Sequence, residues 1–261
     1  MQPLDGARLK IVRAQEHLNA FKSESAAFLE TKPYSFVSEV HPTHWWIKPH
    51  FTTEPPKRLS LLVGDCVTNI RASLDYVIWE LATTHFKPPP DLSRQRDRSI
   101  LNFPILLADP TREQGHIDHL DRLAKRGIPA GALDVVRDAQ RDAGGDDQLC
   151  WLYDLVNTDK HRFPILTVGY FVAAQIEITG FQGRNLLLRS STIHDGLAVK
   201  TETMSPELVE FLRDNPMNVN IQAAIDISTT DLPMVEAPLD WTLEEIIKSA
   251  ANVIPRFDRF F

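Results

Sequence analysis

Two short segments hold most of the side chains in this chain that could do chemistry. The first runs Gly64-Asp65-Cys66-Val67-Thr68-Asn69-Ile70-Arg71-Ala72-Ser73-Leu74-Asp75-Tyr76; the second is Asn157-Thr158-Asp159-Lys160-His161-Arg162. A guanidinium presents a planar fork of donors that suits carboxylate or phosphate. An imidazole titrates nearest neutrality and can move a proton. If the segments converge, Arg71 and His161 form an active pair, with Asp159 orienting the imidazole. Asp65, Asn69, Asp75, Tyr76, Asn157, Lys160 and Arg162 would then hold a ligand around them. The same residues also admit a structural reading. Arg71 and Asp75 are four apart and can pair along a helix, and a satisfied polar network fixes helix packing. In the second segment three basic residues can complement a helix C-terminus, with Asn157 as its cap.

The first segment lies in a long amphipathic helix. At about 100° per residue, Val63, Cys66, Val67, Ile70, Leu74, Val77, Ile78 and Leu81 form one apolar stripe. The other face carries Asp65, Thr68, Asn69, Ala72, Tyr76 and Trp79 where Lys, Glu and Gln would be ordinary. That pattern predicts a helix covered on both sides, with a polar site buried against a neighbour.

Other constellations are weaker. His41, His44 and His50 cluster in one stretch and His116 and His119 in another, but neither has a cysteine or a clear third ligand, so no metal is expected. Cys66 and Cys150 sit in apolar runs and read as reduced core thiols. Trp45-Trp46 reads as a packing anchor. Arg94, Arg96 and Arg98 lie in a Pro-rich loop that reads as solvated. No P-loop, dinucleotide fingerprint, nucleophile elbow or zincin motif occurs, and no cofactor is implied.

Composition bounds the class. The 261 residues carry a net charge of −7, with 43% hydrophobic and 24% charged residues, as in an ordinary globular protein. The acidic balance argues against a generic polyanion binder, so DNA is not expected, although a local basic groove is compatible with it. No apolar run reaches the roughly 18 residues a membrane span needs. The first residues read as an amphipathic helix and not a signal peptide. A cytoplasmic location is the expectation.

Periodicity predicts helices over about 7–30, 58–86, 111–126, 130–142 and 147–158, with short extended pieces at 35–40 and 45–48. Phe103-Pro104-Ile105 reads as a buried anchor after the Pro-rich loop. Beyond Pro164 the period changes to that of strands, at 165–172, 175–178, 186–189, 198–201 and 219–227, with an Asp195-Gly196 hairpin signal. A short helix begins at Ser205-Pro206, and Thr242-x-x-Glu245 reads as a capping box before a final helix over 243–257. The expectation is one α+β domain over 1–261, mainly helical over 1–162, with a small antiparallel sheet and a closing helix over 163–261.

Arg58 through Asp65, Leu74 through Leu81, and Asp154 through Arg162 together resemble a family of uncharacterised bacterial proteins; Phe103-Pro104-Ile105 and the first helix fit it too. Its pattern GD-x-x-H-N-x-R-S-x-L-D-H is matched by Gly64, Asp65, Asn69, Arg71, Leu74 and Asp75. Thr68 and Tyr76 stand where histidines are expected. The R-x-x-x-x-H spacing of that pattern is similar to HEPN-type helical domains, many of which are metal-independent ribonucleases. The resemblance implies a HEPN-like helical bundle, a homodimer paired through helices, and an Arg that orients phosphate beside a His. With Tyr76 at the His position, His161 is the substitute. Two functions follow. One is a binding or interaction protein whose polar helix pair is structural or recognises a small anionic ligand. The other is a HEPN-like ribonuclease or nucleotide-acting enzyme using Arg71 and His161.

Overall fold

The computed structural model describes residues 2–41, 44–105, 110–140, 148–161, 166–171, 176–188, 197–200, 204–215, 219–220, 223–227 and 238–261. The chain divides into two compact units. One comprises Met1–Phe21, Leu61–Phe163 and Trp241–Phe261; the other comprises Lys22–Ser60 and Pro164–Asp240.

The first unit is built on helix. α1 spans Asp5–Glu30 and α2 spans Lys57–His85, the N-terminal part of α1 and most of α2 belonging to this unit. α3 is a four-residue turn, Gln95–Arg98; α4 runs Pro110–Lys125, α5 Ala130–Asp138, α6 Gln148–His161 and α8 Leu239–Val253, continued by a 3-10 helix over Ile254–Phe260. The eight apolar positions of the α2 stripe are all buried, and seven of them, Cys66, Val67, Ile70, Leu74, Val77, Ile78 and Leu81, are wholly so. They share the core with Leu18 and Phe21 of α1, Val136 of α5, Leu152 of α6 and Leu243 and Ile246 of α8. This burial is the main stabilising contribution in the unit. The Phe103 ring meets Phe257 edge to face, with centroids 6.5 Å apart, so the expected anchor does enter the core.

A buried ion pair shapes the loop after α2. Asp97 accepts Arg126 Nη1 at 2.7 Å and the Asp91 amide at 2.8 Å. The Arg126 Nη2 also reaches the Pro88 carbonyl at 3.1 Å, and its guanidinium lies 4.5 Å over the Phe86 ring. Asp97, interleaved with the arginines of a loop that reads as solvated, is buried and ties that loop down. Gly127 follows α4 at φ +107°, where a Cβ would strike the His85 carbonyl, so the chain can pass the end of α2 only as glycine.

The second unit holds the strands and α7. β1 (Tyr34–Val40) pairs antiparallel with β2 (His44–Phe51), and β2 pairs with β6 (Leu197–Lys200). β3 (Leu166–Phe171) pairs with β8 (Ala223–Ile227), and β4 (Ile176–Phe181) with β5 (Arg184–Leu188) and β7 (Val219–Asn220). Gln182 and Gly183 both take positive φ, the conformation of a tight hairpin turn between β4 and β5. α7 (Pro206–Asp214) starts as expected: Ser205 accepts the Leu208 amide and Pro206 occupies the first turn. The Asp195-Gly196 signal lies outside the described residues.

The expected α+β class is corrected. The molecule is mostly helical, and its short strands make separate ladders of two or three instead of one sheet for the helices to cover. The physical reason is visible in the pairings. Register breaks between Thr167 and Tyr170 and between Ile178 and Phe181 interrupt the ladders, so no long apolar sheet face forms. The 34–51 hairpin, far upstream, also takes β6 as its third strand. Two helix ends shift as well. α6 continues through His161, so Asn157 sits inside its last turns and does not cap it; α8 begins at Leu239, so Thr242 lies within the helix and not ahead of it.

Folding holds the Asp97 carboxyl far below the ordinary carboxylate range, chiefly through its hydrogen bonds from Arg126 and then from the Asp91 amide. A group depressed in this way stabilises at neutral pH and loses that contribution as pH falls through the unfolded value near 4 and below. Asp97→Asn is therefore expected to lower Tm by several degrees at pH 7. The gap to wild type should narrow as thermal melts are repeated down to pH 3, whereas a constant gap would contradict the ionic origin.

Candidate functional site

The polar residues of α2 divide into three groups along the helix. At its N-terminal end Asp65 is exposed, 3.9 Å from His17 Nδ1, and the Asn69 amide donates to the Asp65 carbonyl at 2.7 Å. Asn69 Oδ1 in turn accepts Lys10 Nζ at 3.1 Å. These contacts tie α1 to α2. Thr68 and Tyr76 are exposed, so the helix is not covered on both sides along its length.

Arg71 and Asp75 do pair. Arg71 Nη2 lies 3.0 Å from Asp75 Oδ1 and Arg71 Nε donates to Oδ2 at 3.3 Å. The pair also grips one peptide: the Phe103 amide donates to Asp75 Oδ1 at 2.7 Å, and Arg71 Nη2 donates to the Phe103 carbonyl at 2.9 Å. Both polar groups of an anchored residue are thus satisfied by side chains one helical turn apart. Burial raises the Asp75 carboxyl above its usual range, opposed by the Arg71 charge and the Phe103 amide. Nearby, His119 Nε2 lies 3.1 Å from the Ile100 carbonyl, and burial lowers this imidazole. His119 was weighed from sequence only as a metal ligand; it braces the same loop. Among the described residues, no group of three or more His, Cys, Asp and Glu is placed to hold a metal.

Asp159 of α6 reaches α2 at Gly64. A Cβ at position 64 would collide with the Asp159 carboxylate, so glycine is what lets the carboxylate close on the helix. Burial raises the Asp159 carboxyl, and the neighbouring Asp65 charge adds to the rise. Lys160 is exposed, and its charge acts on Asp75. Asn157 is half-buried. His161 ends α6, but its side chain, like Arg162 altogether, lies outside what the structure describes.

The third group borders a cavity of about 560 Å³. Asp75, Tyr76, Trp79 and Glu80 supply the α2 part of its wall; Leu92, Arg98 and Leu101 supply the part from the tied-down loop. Tyr76, Trp79 and Glu80 share a helix face by their i, i+3, i+4 spacing. Gly6 of α1 borders the space, and a Cβ there would meet Tyr76 Cδ2 at 3.0 Å. Trp79, Glu80, Leu92 and Leu101 were not singled out as site residues. Their signal was a Trp-Glu dipeptide on the polar face of α2, which resembles packing until the loop that meets it is known.

Cys66 is buried, and that burial pushes its thiol up to about 12, far from reactivity.

An alanine inside a helix ordinarily gains up to about 1 kcal/mol over glycine. Gly64→Ala is expected to fall short of that gain, because its Cβ forces the Asp159 carboxylate, the end of a rotatable side chain, to swing away. Asp159→Ala in the same chain should restore it. A Gly64→Ala chain about 1 kcal/mol more stable than wild type would contradict the close approach.

No family model matches this chain, and no curated protein or solved structure is detectably similar to it, so the site is read from its own geometry.

Proposed function

We propose that this chain is a binding protein that holds a small molecule in the cavity beside α2. The observation that carries this reading is the state of Arg71. Its guanidinium is engaged by Asp75 and by the Phe103 carbonyl, which makes it a clamp on the cavity's loop and not a free anion-binding fork. What remains beside the clamp is a preformed space of ligand size, walled by aromatic and apolar side chains with a few polar groups. A cytoplasmic setting belongs to the same reading: Cys66 is a buried free thiol, and no helix among the described residues is long and apolar enough to cross a membrane.

A second reading keeps the HEPN-like ribonuclease with Arg71, His161 and Asp159, homodimeric by resemblance. The contact of Asp159 with Gly64 favours it, because it brings the last turn of α6 against α2. Its cost is that Arg71 must leave Asp75, stranding a half-buried carboxylate.

The experiment that separates them uses indole as a generic aromatic probe and a single-stranded RNA. Titrating the labelled protein with millimolar indole is expected to shift the amides of Tyr76, Trp79 and Leu101 saturably in heteronuclear NMR spectra, while the RNA stays intact. RNA cleavage by the wild type that disappears in Arg71→Ala, with no saturable shift around the cavity, would overturn the binding reading.

A further inference from the structure

Among the groups on the cavity wall, the charges are unevenly satisfied. Asp75 is fully engaged: its two oxygens take the Arg71 guanidinium and the Phe103 amide. Glu80 differs. It is half-buried, and its carboxylate makes no hydrogen bond or ion pair with another described residue. Arg98 lines the same space and is exposed, and its one side-chain hydrogen bond among the described residues, 2.9 Å from Nη2 to Gln95 Oε1, leaves its other N–H donors to solvent or a ligand. Glu80 and Arg98 border one space yet form no ion pair with each other. Opposite charges that share a cavity without pairing are set to be bridged by something carrying both.

The rest of the wall narrows what that is. Tyr76 and Trp79 stand beside Glu80 on the same helix face, and rings next to a carboxylate favour an ammonium, through attraction to the ring faces as well as the ion pair. Leu92 and Leu101 give the remainder an apolar character. We propose that the cavity binds a small zwitterion with an apolar body, of the class of a free amino acid with an aromatic or branched side chain. Its ammonium sits at Glu80 against Tyr76 and Trp79, and its carboxylate takes the open donors of Arg98. The inference rests on the binding reading above and goes beyond it in naming the ligand's charge pattern.

Three probes on the full chain test it by isothermal titration calorimetry: L-phenylalanine, phenethylamine, which lacks the carboxylate, and 3-phenylpropionate, which lacks the ammonium. L-Phenylalanine is expected to bind about tenfold or more tightly than either, since each lost group forfeits a charge-assisted contact. Glu80→Gln should remove its advantage over 3-phenylpropionate, and Arg98→Gln its advantage over phenethylamine. The probe ranking on the wild type needs no variant, so a failure of either variant to fold leaves the test standing. Equal binding of all three probes, with indole still bound, would overturn the zwitterion and leave the binding site. No binding of any probe or of indole would overturn both.

Discussion

Phe103 is buried directly after exposed Asn102, and its peptide has to bring an N–H and a C=O in with it. An unpaired backbone group at such a point is costly. The chain solves this with two side chains of α2 set four residues apart: Asp75 takes the N–H and Arg71 gives to the C=O. The two also neutralise each other, so neither charge is left alone in a half-buried setting. With the peptide held, the Phe103 ring reaches Phe257 and the loop's end is fixed. The same loop is knotted at its other end by Asp97 and Arg126. Between the two fastenings run Arg98 and Leu101, and α2 supplies the opposing aromatic side chains. The cavity is thus a consequence of how a loop is hung, with one charged pair at each end of it.

α2 therefore serves two ends at once. Its apolar stripe organises the core of the helical unit, while other positions each meet one neighbour: Asn69 meets Lys10 of α1, Gly64 the Asp159 carboxylate of α6, and Arg71 with Asp75 the loop. This division explains why the face from Asp65 to Tyr76 lacks the Lys and Glu of an ordinary solvated face. Short polar groups satisfy fixed partners at small entropic cost, whereas long charged side chains lose more rotamer freedom when held.

Local signals in the sequence were strong where physics is local. The 3.6-residue stripe of α2 and the Ser205-Pro206 start of α7 depend on neighbours within a few turns, and each is found where the sequence puts it. Strand partners are different. A period of two marks a strand but is silent on what it pairs with, and so a single sheet was read from segments that form three short ladders in a mostly helical chain. The site was legible in part for the same reason. The Arg71–Asp75 pair follows from spacing along one helix. Asp97, His119 and Glu80 gain their roles only from segments that fold back onto them, and nothing in their immediate sequence distinguishes them from surface residues.

The central claim is that the Arg71–Asp75 pair holds the Phe103 peptide, and amide hydrogen exchange at that residue addresses it directly. The account predicts that the Phe103 amide, bonded to Asp75, exchanges far more slowly than the amide of exposed Asn102 beside it, and that Asp75→Ala brings the two rates together. A Phe103 amide exchanging as fast as that of Asn102 in the wild-type chain would contradict it.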